Sequence, residues 1–210
     1  MIRDLTIKRK LFGISSIALF FFVLIALDVI FDGALVAFDQ VVHSLSLSWH
    51  TPLWDRIFFA ITQLGSLAAM LFYSSIILLF LFRKKVQREI RFYLFGMLGS
   101  TAIFSGIKEL VCRTRPSSYI GDFHQHGYSF PSGHSTMSMT FVLLIFFLFY
   151  PKVSEGYRTA LMIFFILFPL LIGFSRIYLG VHYFSDVMGG FALGIFWVML
   201  MAGISPTAKS

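Results

Sequence analysis

The sequence predicts an all-α fold, a six-transmembrane-helix bundle, and three observations carry that expectation. Of 210 residues, 58% are hydrophobic and only 13% charged, where soluble domains run at about 25% charged. Six stretches contain no Asp, Glu, Lys or Arg: 11–27, 57–82, 92–107, 124–151, 159–175 and 187–208. With their flanks they approach the roughly 20 apolar residues that cross a bilayer core. They are apolar on every face instead of alternating, which excludes the strands of a membrane barrel.

In chain order, the spans are expected at about 11–31, 57–82, 90–111, 133–150, 159–177 and 184–204, within one domain of residues 1–210. Lys8, Arg9 and Lys10 precede the first span as they would a signal peptide, but no A-x-A cleavage site follows, so it reads as a retained helix. The connection from Asp28 to Arg56 reads as the longest loop; it carries Asp28, Asp32, Asp39 and Asp55, with Trp49 and Trp54 suited to an interfacial aromatic belt. The fourth stretch is continuously apolar only from about Met137. The single Cys112 cannot form an internal disulfide and reads as an inert packing thiol.

A net charge of +7 would suit a nucleic-acid binder, but membrane topology explains the basic residues better. With the N-terminus inside, Arg3, Lys8, Arg9, Lys10, Arg83, Lys84, Lys85, Arg88, Arg91, Lys152, Arg158 and Lys209 all fall on the inner side, twelve of the 17 Lys and Arg. Both termini are therefore expected in the cytoplasm. Five remain toward the outer side: Arg56, Lys108, Arg113, Arg115 and Arg176.

Three segments converge on that outer side. "KELVCRTRP" runs from Lys108 to Pro116; Lys108 and Arg115, seven apart, would project from nearly one helix face if the helix reached that far. "PSGH" follows at 131–134: Pro131 suits a helix start, Ser132 can cap it, and Gly133 lets an anion approach the free N–H groups there. "SRIYLGVHYFSD" spans Ser175 to Asp186; His182 and Asp186, four apart, can share a face once the last helix has begun, and Gly180 offers a bend that returns Arg176 to them. Each segment has a plainer explanation: cations snorkelling to headgroups, a cap beside an ordinary histidine, an Arg176–Asp186 ion pair. All three explanations must hold together to dismiss a site, and charges at span ends are expensive enough to favour function.

The residue types suit phosphoryl transfer. Lys108, Arg115 and Arg176, with helix-start amides near Ser132 and Gly133, would neutralise phosphate oxygens. His182, oriented by Asp186, would attack phosphorus, and His134 would donate a proton to the leaving oxygen and later activate water. No metal or cofactor is needed, because three cations already supply the charge. A zinc site from His124, His126 and His134 would leave those cations unexplained.

These segments resemble the signature of the type 2 phosphatidic acid phosphatase superfamily, K-x6-R-P, P-S-G-H and S-R-x5-H-x3-D, and every signature residue is present at Lys108–Pro116, Pro131–His134 and Ser175–Asp186. With six spans, the chain looks like the family's bacterial integral-membrane lipid phosphatases. The resemblance implies metal-independent dephosphorylation of a membrane lipid: phosphatidylglycerophosphate, phosphatidic acid or undecaprenyl diphosphate, with a lipid A phosphate as an alternative. It implies His182 as nucleophile, His134 as acid and base, Asp186 as orienter, and Lys108, Arg115, Ser132, Gly133 and Arg176 as phosphate ligands. It also implies the bacterial cytoplasmic (inner) membrane, with the site on the outer or periplasmic side. The partners expected are the phosphorylated lipid and surrounding membrane lipids, with no nucleic acid and no obligate protein partner. A phosphotransferase would use the same intermediate. A non-catalytic lipid binder would have no need of the histidine pair, and the spans disfavour the superfamily's vanadium haloperoxidases. The loop 117–130, with Tyr119, Asp122, His124 and His126, is placed to select a headgroup.

Overall fold

Helices, which satisfy their backbone groups internally as lipid demands, account for most of the described residues. The computed structural model describes residues 2–117 and 127–204, so Tyr119, Asp122, His124 and His126 lie outside the described residues. Among these residues there are eight α-helices: α1 (Ile2–Ile30), α2 (Ala34–Ser48), α3 (Pro52–Gln63), α4 (Leu67–Arg83), α5 (Gln87–Val111), α6 (Gly133–Phe149), α7 (Glu155–Tyr178) and α8 (Phe184–Ile204). Five are long and apolar enough to cross a membrane, and α3 with α4 makes a sixth when the pair is taken as one span.

Two expectations about the first half need correction. The connection after the first span is not an open loop: α2 and the start of α3 fill most of it. The second span, expected to run continuously over 57–82, is broken, since α3 and α4 meet at a bend of 42°. Ser66 caps α4, accepting from the Ala69 N–H at 3.2 Å, so the chain stops one helix and starts another around Gly65. A continuous apolar run carries no sign of such a break beyond its "GS" pair.

Helix α2 is patterned inside out. Asp39 and Ser46 are fully buried on its inner face, while Phe38, Val41 and Leu45 are exposed on the other. In water that arrangement would be unstable; at a lipid surface it is the expected one. Trp49 and Trp54 sit half exposed at the same end, as an aromatic belt requires. Lipid-facing surfaces of α1 and α7, including Ile17, Phe20, Ile163 and Ile166, are apolar and exposed in the same way.

Glycines let α8 approach α6. A Cβ on Gly190 would stand 2.8 Å from the Ser132 carbonyl oxygen, and one on Gly194 3.0 Å from that of Thr136. Spaced by four, these glycines form the small-residue stripe by which membrane helices pack without a hydrophobic drive. Hydroxyl pairs tie the neighbours: Ser100 with Thr140 at 2.8 Å between α5 and α6, and Ser74 with Tyr93 at 2.8 Å between α4 and α5. Helix α1 packs along α8, with the Ser15 hydroxyl donating to the Phe196 carbonyl at 3.0 Å.

Replacing Gly190 by Val should lower stability by about 1–3 kcal/mol, because backbone and not a flexible side chain lies in the way. Heat-induced loss of the monodisperse detergent-solubilised protein measures it. Gly156→Ala, with nothing within 4 Å of the added Cβ, should not lower the midpoint.

Candidate active site

Helix α5 ends at Val111 because Cys112 adopts a left-handed conformation (φ 52°), its N–H closing on the Lys108 carbonyl. Lys108 and Arg115 therefore do not share a helix face; Lys108 lies in the last turn and Arg115 on the irregular segment beyond. Cys112 is exposed and not a packing thiol. The two cations still converge, by way of one strip of backbone. Lys108 Nζ donates to the carbonyls of Tyr128 (2.7 Å) and Ser129 (3.1 Å), while Arg115 donates to those of Gly127 (3.0 Å) and Tyr128 (3.2 Å).

Ser132 is the cap of α6, its Oγ accepting from the Ser135 N–H. Its own N–H donates to the Asp186 carbonyl at 2.9 Å, which locks the second segment onto the third. Phe130, fully buried, stacks on Phe22 of α1 and holds the approach to the cap. Gly133 and His134 form the first turn of α6. The His134 ring lies beside Gly65, where an added Cβ would come within 3.3 Å of Cδ2, so the α3–α4 break is part of the site wall.

Gly180, at φ 67°, makes the turn after α7, and the N–H groups of Val181 and His182 fold back onto the Arg176 carbonyl. Arg176 is 2% exposed and donates to the Thr62 hydroxyl of α3 at 2.7 Å. His182 precedes α8 by two residues, yet Asp186 reaches it: Oδ2 lies 3.2 Å from Nδ1 and also accepts from the Tyr183 N–H at 2.9 Å. The backbone contact is half of a capping box, the third helical residue reaching back to the cap position.

The other imidazole nitrogen, Nε2, faces Arg115 Nη1 at 3.1 Å. A guanidinium only donates, so Nε2 holds the lone pair and Nδ1 the proton. Burial, and then the charges of Arg115, Arg176 and Lys108, hold the His182 pKa well below 6.5. The geometry thus turns the Nε2 lone pair toward the cations.

Asp186 has a further partner that sequence reasoning missed. Arg113 Nη1 donates to its Oδ1 at 2.7 Å, and Arg113 Nη2 donates to Asp39 Oδ2 on α2 at 2.7 Å. Burial opposes the Arg113 charge, but Asp186 and Asp39 outweigh it and raise its pKa. Asp39 also accepts from the Ser185 N–H at 2.9 Å, supplying from another helix the bond an N-cap side chain normally makes to the first turn of α8. The only sequence signals were an outward arginine and one aspartate among four in a presumed loop. Thr62, inside an apolar run, gave none.

The structure thus gathers Lys108, Arg115, Arg176, His134, His182 and Asp186 where α5 and α7 end and α6 and α8 begin, with Ser132 and Gly133 at the start of α6. A family model described as the PAP2 superfamily matches residues 89–210, more than half the chain. The chain belongs to this superfamily. It is 29% identical over 200 residues to phosphatidylglycerophosphatase B of Bacillus subtilis, covering 93% of this chain and 97% of that one. A crystal structure of a transmembrane PAP2-type phosphatidylglycerolphosphate phosphatase from Bacillus subtilis superposes with a TM-score of 0.79 at 26% identity, over 90% of this chain and 94% of the other. Aquifex aeolicus LpxE superposes with a TM-score of 0.61 at 27% identity, over 78% and 93%. A lipid A 1-phosphatase of Rhizobium johnstonii is 32% identical over 64% of this chain and 62% of its own length. A PAP2 superfamily chain with the sequence-expected residues drawn into one polar cluster is the result on which the function rests.

At pH 6.5 a free histidine is half protonated, whereas His182 should remain neutral and protonated on Nδ1 alone. Nitrogen-15 histidine spectra in detergent check this. Arg115→Gln removes a charge that depresses the His182 pKa, so protonation should then begin at higher pH; an unmoved titration would contradict the electrostatic cause.

Proposed function

We propose that the chain is a metal-independent lipid phosphate phosphatase of a bacterial cytoplasmic membrane. It would act at the outer face on a lipid phosphomonoester or diphosphate, through a phosphohistidine. The observation that carries this is the His182 ring: Nδ1 is committed to Asp186, and the Nε2 lone pair is turned into a cluster of cations. Phosphatidylglycerophosphate is the first candidate substrate, supported by the near full-length similarity to phosphatidylglycerophosphatase B. The partial match to lipid A phosphatases favours lipid A-type phosphates as the second reading.

The phosphate oxygens bind Lys108, Arg115 and Arg176 and the amides at the start of α6. Nε2 of His182 forms the N–P bond as the bond to the lipid oxygen breaks, and His134 gives that oxygen its proton. The phosphorylated imidazolium rests on Asp186. His134, now neutral, takes a proton from water as the water attacks phosphorus, and phosphate leaves from restored His182. The cations supply charge stabilisation of the kind a metal would give.

His182→Ala should abolish phosphate release, a loss of roughly 10⁴-fold or more, in protein that still inserts and purifies normally. Vanadate should inhibit competitively, and excess EDTA should leave turnover intact. Substantial turnover in the alanine variant would refute the nucleophile, and an EDTA loss reversed by a divalent ion would refute metal independence. Phosphate release from a panel of lipid monophosphates and diphosphates ranks the substrates.

The topology proposal places both termini in the cytoplasm and the site outside, on the strength of the basic residues at the inner ends. Cys112, exposed and the only cysteine, is a built-in probe. A membrane-impermeant maleimide should label it from outside in spheroplasts; labelling only after lysis would invert the orientation.

A further inference from the structure

We propose that Asp39 and Arg113 are positioning residues of the reaction, bridging α2 to Asp186 and fixing the carboxylate that orients His182. The proposal rests on His182 being the nucleophile. Neither residue belongs to the roles the signature implies. Arg113 lies between the signature cations Lys108 and Arg115, and Asp39 comes from a segment with no motif.

The geometry separates Arg113 from the phosphate ligands. Both its terminal nitrogens are spent on carboxylates, Nη1 on Asp186 and Nη2 on Asp39, each at 2.7 Å. Nη1 also donates to the Ser185 hydroxyl, and the guanidinium lies over the Tyr183 ring at 4.3 Å. Both carboxylates are fully buried, and the Arg113 side chain is 10% exposed.

Charge explains why two acids are needed. When His182 takes the phosphoryl group on Nε2, its ring becomes cationic while Nδ1–H still donates to Asp186. An Asp186–Arg113 pair alone is neutral and would meet that cation with no net charge. With Asp39 added, the trio carries one net negative charge, and Asp39 holds the guanidinium by its far side so that it cannot swing toward the phosphate. The Asp39 bond to the Ser185 N–H fixes the first turn of α8, on which Asp186 rides.

The test uses the full chain in detergent with labelled short-chain phosphatidic acid, measuring kcat, KM and, by rapid quench, phosphoenzyme formation per vanadate-titrated site. Asp39→Asn and Arg113→Gln should slow phosphoenzyme formation about 10- to 100-fold, the usual size for losing a residue that orients a ligand, with KM within about threefold. Arg113→Lys, which can meet only one carboxylate, should fall between the unmutated chain and Arg113→Gln. Asp39→Asn added to Asp186→Asn should cost nothing further, because it acts through that carboxylate. Per-site rates in Asp39→Asn within about twofold of the unmutated chain, or losses that multiply in the double variant, would overturn the proposal. Counting titrated sites removes any misfolded fraction, and the isosteric Asp39→Asn decides should Arg113→Gln not fold. Failure of the underlying reading looks different: the unmutated chain turns over without a phosphoenzyme, or His182→Ala still forms one.

Discussion

Everything at the site end of the bundle depends on keeping one carboxylate, Asp186, charged where no water reaches it. Taking a lone carboxylate out of water costs several kcal/mol even after relaxation. The chain offsets this with four donors on two oxygens: Arg113 and the Ser129 hydroxyl on Oδ1, His182 and the Tyr183 N–H on Oδ2. Each donor comes from a segment whose backbone is thereby fixed, so the same bonds that solvate the charge assemble the site. The Asp186 backbone joins in, its carbonyl receiving the Ser132 N–H.

That solvation is possible only because the helices can approach closely. Lipid tails are as apolar as leucine, so the bundle gains nothing from hiding hydrophobic surface and must hold by contact and interhelical hydrogen bonds. Gly190 and Gly194 bring the backbones of α8 and α6 together, and this sets the capped start of α6 against the first turn of α8. The glycine stripe and the site geometry are two ends of one helix pair. The break at Gly65 serves a similar purpose on the opposite wall, where a straight second span would carry its backbone past His134 without Thr62 facing Arg176.

Much of this was legible in the sequence, and the rest was hidden for a physical reason. Charges placed in an apolar sequence are conspicuous, so Lys108, Arg115, Arg176, His182 and Asp186 announced themselves. Helix termination was harder to read. Nothing marks Cys112 as a left-handed cap, because glycine is the residue that usually signals one. Helix α2 was missed because the apolar periodicity of a lipid-surface helix faces outward, and its buried Asp39 read as one more loop acid. Arg113 was in view as an outward cation, but its partner lies 74 residues away, and spacing cannot pair residues across such a gap.

In the proposed reaction the resting contacts of the cations also have a purpose. Lys108 and Arg115 donate to the neutral carbonyl oxygens of residues 127 to 129, and Arg115 further to the Val181 carbonyl and His182 Nε2. A phosphate oxygen is charged, and charge-assisted hydrogen bonds are about twice as strong as neutral ones. An arriving phosphate therefore outcompetes the carbonyls without leaving any cation unpaired. Arg115 must leave Nε2 before that nitrogen can attack, and the group that draws it away is the one Nε2 then attacks. In that reaction, exposure of the lone pair is thus tied to the binding of phosphate.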